Sequence, residues 1–134
     1  MTVSFFDTNV LLYLHATDER KLRTSVQFLQ RGGVISVQVL NEYCSVLRRK
    51  YKRDWKEIFQ FCSRFETIFR VGDLTLDTQI LARTFADRYG YSIYDATILA
   101  SAKLAGCDVL LSEDMRHGQV IEGVRITNPF VAEV

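Results

Sequence analysis

The sequence holds a single proline, Pro129, and seven glycines among 134 residues, and no stretch rich in Ser, Gly or Pro. That scarcity excludes a low-complexity chain and leaves no linker at which to divide the chain, so residues 1–134 read as one domain. Long hydrophobic runs are missing as well. No segment approaches the roughly 18 uninterrupted apolar residues of a membrane helix, and the start, Met1-Thr2-Val3-Ser4, lacks the basic segment that precedes a secretory apolar run. A cytoplasmic protein with no membrane partner is expected. The three cysteines, Cys44, Cys62 and Cys107, are odd in number and widely spaced, which argues against a disulfide framework and a zinc ribbon and leaves three reduced, small hydrophobes. Net charge is nearly absent at +1, so the total points to neither nucleic acid nor membrane. The distribution is uneven: residues 1–70 carry 12 basic and 7 acidic side chains, and residues 71–134 carry 5 and 9.

What is present is a regular alternation. Short apolar runs at 3–6, 34–36, 68–71, 109–111 and 124–126 are separated by segments of helical periodicity near 8–15, 19–31, 37–51, 54–66, 76–90 and 93–105. Gly32-Gly33, Gly72, Gly90 and Gly106 fall where periodic runs stop. Strands alternating with helices of this length predict an α/β fold, a three-layer α/β/α sandwich around a mostly parallel sheet. The helices at 19–31 and 54–66 are apolar enough to serve as partner surfaces, although core burial accounts equally well for Phe28, Leu29, Phe59, Phe61 and Phe65.

In an open parallel sheet the ligand site lies beyond the carboxyl ends of the strands, and acids occupy those places. Asp7 follows the first strand and Asp114 comes three residues after the run at 109–111. Each has a purely structural explanation, as a helix cap and as a turn acid. Glu42 lies on the flank of the apolar stripe Val39, Tyr43, Val46 of its helix, where it either leans toward the sheet or reaches into water. Asp95 stands three residues after Ser92, as in a capping box, yet shares a helical side with Ile98, Leu99 and Ala102. Taken together, four acids facing one edge repel strongly unless a multivalent cation neutralises them. Oxygen ligands suit Mg²⁺ or Mn²⁺, whereas zinc prefers histidine or thiolate, and His15 and His117 are not spaced as a pair. Such a dication suggests phosphodiester chemistry with an activated water.

The segments Phe5-Phe6-Asp7-Thr8-Asn9-Val10-Leu11, Val37-Gln38-Val39-Leu40-Asn41-Glu42, Tyr94-Asp95-Ala96 and Leu110-Leu111-Ser112-Glu113-Asp114-Met115, in this order and at these spacings, resemble the acidic motifs of the PIN-domain ribonucleases, most closely the VapC-type toxins of toxin–antitoxin pairs. The resemblance implies a metal-dependent endoribonuclease in which Asp7, Glu42 and Asp95 bind Mg²⁺ or Mn²⁺, Asp114 completes the site, and Asn9 and Ser112 orient the carboxylates or the attacking water. It further implies RNA as substrate, a homodimer, and inhibition by a VapB-like antitoxin. One departure is Glu113, where many relatives carry a basic residue; either Glu113 or Asp114 then faces the metal. The basic run from Arg48 to Arg53, with Lys56, offers phosphate contacts or simply a solvated helix end. Two other classes compete: a non-catalytic nucleic-acid- or partner-binding module, and a receiver-type signalling domain, whose paired acids after the first strand are missing.

Overall fold

The computed structural model describes residues 2–131. The chain runs β1 (Ser4–Phe6), α1 (Thr8–Leu12) with a 3-10 turn at Tyr13–His15, α2 (Glu19–Arg31), β2 (Gly33–Ser36), α3 (Val37–Arg49), α4 (Trp55–Ile68), β3 (Phe69–Gly72), α5 (Leu76–Tyr89), α6 (Ile93–Leu104), β4 (Val109–Leu111), β5 (Val120–Ile121) and β6 (Val124–Thr127). The starts are set by side chains that satisfy otherwise unpaired N–H groups: Asp18 on α2, Ser36 on α3, Asp54 with Glu57 on α4, Thr75 on α5 and Ser92 on α6.

The sheet order is β3-β2-β1-β4-β6-β5. All neighbouring pairs are parallel except the β5–β6 hairpin. The expected three-layer α/β sandwich is therefore present, with α1, α3 and α4 packed together and α5 packed on α6. The order also argues against the receiver-type reading, because that fold runs 2-1-3-4-5 whereas here β1 lies between β2 and β4. The two-residue strand β5 is an addition to the expected elements; positive φ at Glu122 and Gly123 makes its tight turn.

β1 is the centre of the core. Phe5 and Phe6 point to opposite faces of the sheet, and both are fully buried, which fits a strand covered on both sides. The core continues through Ile35, Tyr43, Leu47, Phe85, Leu99 and Leu110. At about 25 cal/mol per Å² of apolar surface, burial of such side chains is the dominant stabilising contribution. Gly33 lets β2 approach β1: at φ +154°, a Cβ there would stand 2.4 Å from the Ser4 carbonyl oxygen. The aromatics of α4 divide. Phe65 is buried and Phe61 half-buried against the core, whereas Phe59 is 75% exposed, so core burial does not account for Phe59.

Candidate active site

β1 and β4 are parallel neighbours in register, Phe6 opposite Leu111, so the residues that leave them, Asp7 and Ser112, emerge side by side at the carboxyl edge. The Asp7 N–H bonds to the Leu111 carbonyl at 2.9 Å. The Ser112 hydroxyl donates to Asp7 Oδ2 at 2.7 Å, and the Thr8 N–H donates to Asp7 Oδ1 at 2.7 Å. Asp7 is thus a helix cap, as its position allows, and a fixed, buried carboxylate as well. This is also where the strand order changes direction, with β1–β2 on one side and β4 on the other.

Around it the remaining acids line one cavity of about 290 Å³ with Asp7: Glu42 from α3, Asp95 from the first turn of α6, and Asp114 from the segment after β4. Glu42 is half-buried and held at both oxygens, by the Thr8 hydroxyl at 2.7 Å and by the Gln38 amide at 2.8 Å. The same Gln38 amide donates to the Tyr94 carbonyl at 3.1 Å and ties α3 to the start of α6. Ser92 caps α6 by accepting the Asp95 N–H at 3.2 Å. Asn9 donates to Asp114 Oδ2 at 3.0 Å and accepts the Glu113 N–H at 3.2 Å, while the Asp114 N–H reaches the Ser112 hydroxyl at 3.3 Å.

Glu113 has another task. It bonds to Lys21 Nζ at 2.6 Å and accepts from the Tyr13 hydroxyl, so of the two adjacent acids Asp114 lines the four-acid cavity. Thr8 and Gln38 were not among the residues singled out from the sequence. Gln38 stands one helical turn before Glu42, the spacing at which a side-chain amide meets a carboxylate. That spacing was the available signal.

Burial, with neighbouring acids adding to it, sets the electrostatics of the site. Burial is the main cause that raises the Asp7 carboxyl from 3.8 to about 7; the hydrogen bonds from Ser112 and Thr8 oppose it, and the Glu42 and Asp95 charges add to it. Asp95 is raised as well, by burial first and then by Asp114 and Glu42. Among the described residues, Arg49 is the only cationic side chain lining the cavity, and its Nε donates to Ser45. Among the described residues, no three Asp, Glu, His or Cys side chains stand close enough to form a ready-made metal shell. The donor chemistry nonetheless fits a hard dication: all four acidic groups offer oxygen and, among the described residues, no histidine or cysteine lines the cavity.

A search of curated proteins by sequence gives no match. Solved structures are similar in fold. A toxin–antitoxin complex from Klebsiella pneumoniae aligns with a TM-score of 0.72 at 24% identity, covering 94% of this chain and 97% of that one. DNA-bound VapBC from Salmonella typhimurium gives 0.69 at 21% identity, covering 96% and 99%. VapC20 from Mycobacterium tuberculosis, a sarcin-ricin loop cleaving toxin, gives 0.66 at 22% identity, covering 83% and 91%. Residues 4–122, from β1 through the turn after β5, match the PIN domain, and the chain belongs to the PIN-domain family.

Proposed function

We propose that this chain is a single-domain endoribonuclease dependent on Mg²⁺ or Mn²⁺ and that it acts as the toxin of a type II toxin–antitoxin pair. The observation that carries this reading is the meeting of four carboxylates from four separate elements in one cavity, with Arg49 as the only cation among the described lining residues. Membership of the PIN-domain family and the toxin neighbours support it. Asp7, Glu42, Asp95 and Asp114 would hold the dication. When bound, such an ion supplies Lewis acidity toward a phosphoryl oxygen and makes water a better nucleophile at neutral pH.

The chain's own groups do the rest. Ser112 and the Thr8 N–H keep Asp7 in one orientation, Thr8 and Gln38 do so for Glu42, and Asn9 does so for Asp114. Arg49, on the wall of the cavity, is positioned for a phosphate of the substrate. Water attacks phosphorus in line with the leaving oxygen, and no covalent enzyme intermediate is needed. The partners of this reading are an RNA substrate, a VapB-like antitoxin and a second copy of the chain. The exposed Trp55 and Phe59 of α4, and Leu76 and Ile80 of α5, suit protein surfaces. Among the described residues no helix is long and apolar enough to cross a membrane, and a cytoplasmic location is part of the same proposal.

The test is incubation of the purified protein with total and single-stranded RNA. Cleavage is expected with Mg²⁺ or Mn²⁺, is expected to stop in excess chelator and to return when metal is restored. Cleavage indifferent to chelator would sink the metal role, and intact RNA under every metal condition would sink the nuclease. A second expected result concerns positioning. Gln38→Ala frees one oxygen of Glu42 without touching any proposed ligand, and losing such an orienting hydrogen bond should lower activity about 10–100-fold. Much of the loss should be recovered at higher Mn²⁺ concentration, because affinity for the ion is what falters. An unchanged metal requirement in Gln38→Ala would show that Glu42 needs no such support.

A further inference from the structure

A second opening, of about 710 Å³, lies between α2 and the segment that follows β6. Arg20, Thr24, Gln27 and Arg31 line it from α2, at the i, i+4, i+7, i+11 spacing that forms one stripe on a helix. At 1.5 Å per residue the two arginines stand roughly 16 Å apart along the helix, too far to share one phosphate and well placed for two. Opposite them are Phe130 and His117. The Asn128 N–H donates to His117 Nδ1 at 2.9 Å, so the neutral ring keeps its own proton on Nε2 as a donor. Phe28 adds a second aromatic face, with the Arg31 guanidinium 4.7 Å from its centroid. Among the described residues no carboxylate lines this groove.

Its position is as informative as its composition. Phe130 meets the edge of Tyr13 at 4.8 Å between centroids, and Tyr13 on its other side lines a small cavity with Asn9 and Asp114. The groove therefore begins one aromatic pair away from the acidic cleft. Lys21 lies over both rings, 4.6 Å from the Tyr13 centroid and 5.5 Å from that of Phe130, and is held there by Glu113. The junction is thus a fixed ion pair set against two aromatic rings. Cations along a helix together with aromatic faces are what a single nucleic-acid strand uses, phosphates on the first and bases on the second. An acidic peptide would also meet the arginines; RNA is favoured because the ribonuclease reading already places a strand at the cleft, beside the groove, and because the groove offers aromatic faces for bases.

We propose that the Arg20–Arg31 groove binds the flank of the RNA strand beyond the scissile phosphate, and this rests on the ribonuclease reading above. It adds affinity through phosphates and stacking and does not choose the bond that is cut. The test uses catalytically silenced Asp7→Asn protein and oligouridylates of about 4 and about 12 nucleotides, bracketing the lengths that single-strand sites cover, with binding followed by fluorescence anisotropy across a salt series. The longer strand is expected to bind more tightly than the shorter. Arg20→Ala/Arg31→Ala should weaken the longer strand about tenfold or more, leave the shorter unchanged, and make the log-affinity against log-salt slope shallower by about 1.4, or 0.7 for each arginine. Both arginines are exposed, so the helix content of the double variant should be unchanged, and Arg20→Lys/Arg31→Lys should restore the slope. Equal affinity and slope in the alanine variant would overturn the groove while leaving the ribonuclease reading intact. Loss of polyglutamate binding with RNA binding unaltered would also overturn it, in favour of an acidic protein partner. Failure of both RNA lengths to bind would overturn the groove, and would remove the ribonuclease reading as well if the wild-type protein leaves RNA intact with Mg²⁺ and Mn²⁺.

Discussion

Asp7→Asn is expected to reduce RNA cleavage on the order of 10³-fold or more while the protein stays folded, a loss typical of removing a group that stabilises charge at the reacting centre. Asparagine keeps the shape and the oxygen that caps α1 through the Thr8 N–H. Its amide nitrogen meets the Ser112 hydroxyl, which is able to accept as well as donate. What vanishes is the negative charge at the point where β1 and β4 leave the sheet. Single-turnover cleavage assays with saturating Mn²⁺, alongside circular dichroism, check both halves of the result. Wild-type rates in a folded Asp7→Asn protein would mean that chemistry happens elsewhere.

In the metal-free protein, stability is expected to fall as pH rises, and Asp7 is the reason. Its carboxyl is raised from 3.8 to about 7 in the fold, chiefly by burial. A raised acid favours the folded state most when protonated: that contribution is complete below pH 3.8 and is lost as pH climbs through about 7. At 1.36 kcal/mol for each pH unit, the loss at slightly alkaline pH amounts to about 4 kcal/mol, a large part of the 5–15 kcal/mol typical of a domain. Asp95, raised by burial and by Asp114 and Glu42, works in the same direction. Asp7→Asn removes the titrating group, so the variant should be the more stable of the two above pH 7 and the gap should close toward pH 4. Urea unfolding in chelator at a series of pH values measures this, and parallel curves for the two proteins would contradict it.

Much of this was open to reading from the chain because it rests on local rules. Helical periodicity placed α2 to α6 within a few residues of their ends, and caps such as Ser36 and Ser92 sit where a polar residue precedes each run. A mostly parallel sheet was enough to place Asp7 and Asp114 at one edge; that β1 and β4 are neighbours, which sets Asp7 beside Ser112, comes from the fold. What escaped reading depends on contacts across long separations or on very short elements. Lys21 and Glu113 are 92 residues apart in sequence, and nothing in either neighbourhood announces that Glu113 turns away from the four-acid cavity to that lysine. β5 is two residues long, too brief for an alternating pattern. Phe59 is a further case, open in the sequence between core and partner surface: it lies about 100° around the helical wheel from Ile58, on the flank of the buried side, where periodicity does not decide, and the fold exposes it. The ambiguity of Asp7, cap or ligand, was never a choice between exclusive readings, since one carboxylate has two oxygens and uses Oδ1 for the cap and Oδ2 for Ser112.

The most direct measurement is titration of the metal-free protein with Mn²⁺ at pH 7.5, followed by electron paramagnetic resonance of the free ion, for wild type and for Asp7→Asn and Asp95→Asn. Saturable uptake by wild type, much weakened in each variant, is the expected outcome, since relief of carboxylate repulsion is what draws the ion in. Equal uptake by all three proteins, or none by wild type, would mean that these acids do not form a metal centre.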